Sequence, residues 1–172
     1  MKKLATIVML AVAMVAGGAS ADAKTVAKKS KARTTQTARK SSKSAGTVAT
    51  VSRGGEKLVL TSGGKVNLYL GSDLIPDRGG KYVQQNGTYI LEWGDGSYGD
   101  NHIGVIEGNT MYEVVPSYYN YDDFFDYLWS NASGNLNAAV TINPNNRTVT
   151  LKTTNGTKTV RLDEVNSYHA TK

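Results

Sequence analysis

Cysteine is absent from all 172 residues, which excludes a disulfide framework, a thiolate metal site and lipid attachment through an N-terminal thioether. The chain has two histidines, His102 and His169, far apart in sequence, so neither a histidine-built metal centre nor a cofactor is expected. Long hydrophobic runs are also lacking. The most apolar stretch, residues 4–16, stops at Gly17-Gly18, well short of the roughly 20 residues of a membrane-spanning helix. Finally, residues 82–146 contain no Lys or Arg.

What is present divides into three parts. Lys2 and Lys3 precede the apolar run, and Gly17, Gly18 and Ala19-Ser20-Ala21 follow it. That order is the pattern of a cleavable export signal, so residues 1–21 are expected to be removed and the protein to be secreted or periplasmic. Residues 22–53 then read as a disordered basic linker of Ala, Lys, Ser and Thr. From Lys24 to Lys43 there are eight basic residues and no acid, with Val26 the one bulky apolar side chain. Too little apolar surface is available there to offset the entropy of ordering the chain. The arm is a spacer or an electrostatic contact for an anionic surface, such as lipid head groups or an acidic polysaccharide. No aromatic is interleaved for base stacking, which argues against nucleic acid.

Residues 54–172 form the expected single β-rich domain. They carry nine basic and 13 acidic side chains, so the net charge of +6 for the whole chain hides an acidic domain. Eight acids fall within 82–146. Hairpin signals dominate. Asn86-Gly87 separates 81–85 from 88–93, Gly108-Asn109 separates 102–107 from 110–115, and Asn155-Gly156 separates 147–153 from 158–163. Asn and Gly tolerate the positive φ that tight hairpin turns require. These turns place Val83 opposite Ile90, Lys81 opposite Glu92, Val105 opposite Tyr112, Ile103 opposite Val114, Leu151 opposite Val160 and Val149 opposite Leu162. The apolar residues then share one face. A four-residue loop, 143–146, joins a strand at 136–142 to the next and sets Val140 against Val149 and Ala138 against Leu151. With 58–60 and 66–70 the total is about nine strands. The fold class is all-β, an antiparallel hairpin meander closed as a barrel or sandwich.

One segment breaks the alternation. Within 118–129, Asn120 suits a helix N-cap, Asp122 and Asp123 suit its first turn, and Phe124, Phe125, Leu128 and Trp129 recur at helical spacing. A single short helix is expected, ending near 131–134 and plugging one end of the β structure with its aromatics.

The same segment supplies the candidate ligand-binding patch: Tyr118, Tyr119, Tyr121 and Trp129. The chain has ten tyrosines against two Phe and two Trp, and a tyrosine offers an apolar face with a polar tip. Strands favour tyrosine in any case, but this cluster is denser than strand preference explains. The loop 94–102 holds the oxygen donors Asp95, Ser97, Asp100 and Asn101, though its spacing matches no EF-hand and suits an ordinary hairpin connection. No catalytic residue is assigned. Neither Ser97 nor Ser117 sits in a nucleophile elbow, and His169 lies near a terminus, where chains fray. The expected role is a non-enzymatic, envelope-associated or secreted binding protein, with a glycan, a lipid head group or a protein as partner. The alternatives are a glycan hydrolase using Glu92, Glu107 or Asp122, and a structural envelope component.

Overall fold

Strand pairing in the computed structural model, which describes residues 45–94 and 100–172, follows the period-two alternation of apolar side chains. In chain order the strands are β1 (Thr47–Arg53), β2 (Glu56–Thr61), β3 (Lys65–Leu70), β4 (Asp73–Gln85), β5 (Thr88–Trp93), β6 (His102–Glu107), β7 (Thr110–Val115), β8 (Val140–Asn143), β9 (Thr148–Thr153), β10 (Gly156–Arg161) and β11 (Ser167–Thr171). Eight of them close an antiparallel barrel in the order β1-β11-β7-β6-β5-β4-β3-β2, and β10-β9-β8 form a separate three-stranded sheet.

Alternation divides the apolar residues between two cores. Val51, Leu58, Leu60, Val66, Leu68, Leu91, Ile106, Met111 and Ala170 fill the barrel. The opposite face of β5, β6 and β7 contributes Ile90, Ile103, Val105 and Val114 to a second core. There they meet Val140, Val149, Leu151 and Val160 of the small sheet, together with Phe124, Phe125, Leu128 and Leu136. Each such side chain contributes about 1.5–3 kcal/mol on burial. The small sheet is also held by Gln85 at the end of β4. Its Oε1 accepts from Ile142 N–H at 2.9 Å and its Nε2 donates to Val140 C=O at 3.3 Å, so a side-chain amide pairs the free edge of β8.

The segment between β7 and β8 winds through a 3₁₀ turn (Tyr118–Asn120), helix α1 (Asp122–Asp126), a π turn (Tyr127–Asn131) and helix α2 (Leu136–Ala139). Asp122 and Asp123 do lie in the first turn of α1, but the N-cap is Tyr121 with no side-chain cap, not Asn120. Phe124 and Phe125 are core, yet they belong to the cluster outside the barrel and do not plug its end, and Trp129 stays exposed.

Several expectations change. The linker expected to run to residue 53 gives way earlier, because Thr47–Arg53 is strand β1, with Ala49 and Val51 buried. Composition averaged over the Lys/Ser-rich stretch hides this short run of Thr, Val and Ala. Gly54-Gly55, at φ 50° and 90°, is the β1–β2 turn rather than a boundary. The strand expected at 136–142 is α2 followed by β8, because the Asn135 side chain accepts from Asn137 N–H and caps a helical turn. Residues near His169 do not fray; β11 pairs with β1 and β7 and closes the barrel. The described residues thus contain eleven strands, not nine, in a barrel with an added sheet. The expected export signal and residues 22–44 lie outside the described residues, as do Asp95 and Ser97.

Candidate functional site

Strand β4 shapes the site. Pro76 has no N–H for a ladder, and the β3–β4 register jumps from Val66↔Gly80 to Leu68↔Ile75. The extra residues bulge outward and carry Arg78 to Asp100, where Arg78 Nε donates to Oδ2 at 2.8 Å. On its other edge, β4 starts to pair with β5 at Gly80↔Trp93. Here a side chain is excluded, since a Cβ on Gly80 would lie 1.8 Å from the Glu92 carbonyl oxygen.

Beside this bulge opens a cleft of about 600 Å³, lined by Gly79, Gly80, Lys81, Glu92, Trp93 and Trp129 among others. Its size falls within the roughly 300–1,000 Å³ of small-molecule sites. Trp129 is 42% exposed, which is unusual for an indole whose surroundings hold it firmly. Its ring stacks on Tyr118 with centroids 6.0 Å apart and packs against Phe125 at 5.1 Å. The π turn, closed by Ala132 N–H to Tyr127 C=O at 2.9 Å, leaves Trp129 at the margin of the core while Leu128 is buried. In the same lining, Lys81 Nζ lies 3.6 Å from Glu92 Oε2 and donates to Gly134 C=O at 2.6 Å.

Behind the cleft, one end of the barrel interior is polar. Each member continues an inward-facing strand position: Arg53 follows Val51, Glu113 follows Met111, Trp93 follows Leu91, and Tyr168 precedes Ala170. Arg53 donates to Glu56 at 2.5 Å and to Glu113 at 2.8 Å. Tyr168 O–H donates to the second Glu113 oxygen at 3.0 Å. His102 Nδ1 lies 3.0 Å from Glu113 Oε1. The His102 ring stacks on Trp93 at 5.0 Å, and Arg53 sits 5.9 Å above the same indole. Burial pushes the Glu113 carboxyl upward, but contacts with His102, Arg53 and Tyr168 outweigh it and hold Glu113 below the ordinary carboxylate value. Burial likewise raises the Tyr168 hydroxyl, reinforced by Glu113. Trp93 is the residue that the cleft lining and this ionic layer share.

The four residues of the expected binding patch take different positions. Tyr118 is buried in the second core, while Tyr119 is 71% exposed. Tyr121 is half-buried, its ring covered by the Lys158 ammonium 3.7 Å from the centroid. Only Trp129 lines the cleft. The suggested carboxylates do not come together. Glu92 pairs in register with Ile103, whereas Glu107 lies four residues further along β6 beside Arg147 at 3.1 Å. That separation is about 13 Å along a strand. Asp122 is exposed and accepts from Asp123 N–H. Among the described residues no cluster of three or more His, Asp or Glu is placed to hold a metal ion. Nor is any helix among them long and apolar enough to cross a membrane.

The cleft and the ionic layer are only partly legible in the sequence. The Lys81–Glu92 pairing follows from the Asn86-Gly87 turn. The polar layer draws on six strands and becomes visible only when each strand's inward positions are extended to the same barrel end. A comparison of the chain with protein-family models, curated proteins and solved structures finds no match.

Proposed function

We propose that the protein is an exported, non-enzymatic binding domain, carried on a basic arm, whose ligand lies in the cleft beside Trp129. The observation behind this reading is the cleft itself: a partly exposed indole backed by Tyr118 and Phe125 and an ion pair line the same space of about 600 Å³. A preorganised aromatic wall costs little conformational entropy on binding. Hydrolysis of glycosides takes two carboxyl groups flanking the scissile bond. The described lining of the cleft holds one, Glu92, already neighboured by Lys81. The charge-free leader of residues 4–16 and the Ala19-Ser20-Ala21 motif support export, and the eight-charge arm supports contact with an anionic surface.

The test separates binding from turnover. Glu92→Gln, Glu107→Gln and Asp122→Asn variants, incubated with oligosaccharides, are followed for new reducing ends beside the parent protein. The expected outcome is no product from any of them. Product released by the parent and lost in one variant would establish the hydrolase instead. Reversible self-association with no small-molecule binding would favour a structural envelope component.

A further inference from the structure

Resting on the cleft reading above, we infer that its ligand is an uncharged saccharide, with one sugar ring stacked on Trp129 and adjacent hydroxyls shared by Lys81 and Glu92. Three observations narrow the chemistry. The Trp129 face is broad, apolar and fixed from behind by Tyr118 and Phe125, at 6.0 and 5.1 Å. It therefore accepts the flat C–H face of a ring without reordering. The same lining carries one cation and one anion 3.6 Å apart, so its charge sums to zero. Any formally charged ligand meets a like charge beside the opposite one. Donor and acceptor roles complete the argument. An ammonium only donates hydrogen bonds and a carboxylate only accepts them. A ligand serving both within a few ångströms needs groups that both donate and accept, side by side. Vicinal hydroxyls do this. A hydrocarbon would desolvate both ions without replacing water, at a large cost, and a phosphate or carboxylate offers acceptors alone.

The experiment titrates the full chain with maltotetraose, cellotetraose, xylotetraose, tetragalacturonate and anilinonaphthalene sulfonate, reading calorimetric heat and tryptophan emission. At least one neutral tetrasaccharide is expected to bind and to shift the emission. Trp129→Ala should weaken that binding at least about tenfold, Trp129→Phe should restore part of it, and Glu92→Gln should weaken it roughly tenfold. The melting temperatures of the variants check that each is folded. Tetragalacturonate bound by the arm is recognised because it survives Trp129→Ala and disappears in salt. The inference is overturned if no neutral tetrasaccharide binds, or if Trp129→Ala leaves binding unchanged. If anilinonaphthalene sulfonate then binds the parent but not Trp129→Ala, the cleft reading stands and only the saccharide assignment falls. If it binds neither, both fall.

Discussion

Glu113 is the residue on which the polar end of the barrel depends. It accepts from Arg53 and Tyr168 and faces His102, with its side chain only 1% exposed. Its carboxyl is held below the ordinary value of 4.5. A lowered folded value means the stabilisation is complete above the unfolded value and is lost as pH falls through the folded one. The barrel should therefore lose stability on acidification below about pH 4.5, with Glu113 contributing part of the slope. Glu113→Gln leaves Arg53 with one fewer anion in a buried site and should cost about 3 kcal/mol at neutral pH, the low end for breaking a buried pair. The variant should also show a shallower acid dependence in urea melts between pH 3 and pH 7. A variant curve running parallel to the parent over that range would remove Glu113 from the account.

At the scale of elements, the β4 bulge is the most consequential departure from regular pairing. Gly80 is not in a left-handed conformation; its constraint is purely steric, because an added methyl group would sit 1.8 Å from the Glu92 carbonyl oxygen, against backbone that cannot swing aside. Gly80→Ala must force β4 and β5 apart where they frame the cleft, and should cost more than about 3 kcal/mol. Gly46, where a Cβ meets nothing within 4 Å, is the control: Gly46→Ala should stay within about 0.5 kcal/mol. Thermal denaturation of the two compares them directly, and equal melting temperatures would refute the steric argument. The same elements show what the sequence makes legible. Asn86-Gly87 sets its register correctly, with Val83↔Ile90 and Lys81↔Glu92 as expected, because a two-residue turn leaves one solution. Val105↔Tyr112 also holds, but a bulge between Ile103 and Gly104 moves Ile103 from Val114 to Val115. At Asn155-Gly156 the turn shifts so that Val160 meets Val149 rather than Leu151. In the 143–146 loop the shift sets Val140 against Leu151 and Ile142 against Val149, with Arg147 at φ 54° inside the loop. Both slips are by two residues, which keeps every side chain on its face, so alternation alone cannot detect them. β1 and β11 are hidden for another reason: they lie at the two ends of the domain, carry no hairpin turn between them, and pair with each other and with β2 and β7.

For the whole molecule, the charge distribution looks different once folded. The stretch 82–146 has eight acids and no Lys or Arg, yet Glu92, Asp100, Glu107 and Glu113 find Lys81, Arg78, Arg147 and Arg53, all from outside it. Among its described acids, those without an ion pair are Asp122, Asp123 and Asp126, grouped on α1. This leaves a small field to attract the eight-charge arm back onto its own domain, and screening over about 8 Å at physiological ionic strength weakens it further. An external anionic surface offers the arm many more charges. Two measurements follow. Trypsin should cut after Lys43 but not after Arg53, which is paired on β1, so the resistant product should begin at Ser44. The chain from residue 22 should then bind vesicles rich in anionic lipid, with affinity falling steeply as salt rises, while the piece beginning at Ser44 should not. Equal binding by both pieces, or binding indifferent to salt, would reduce the arm to a spacer.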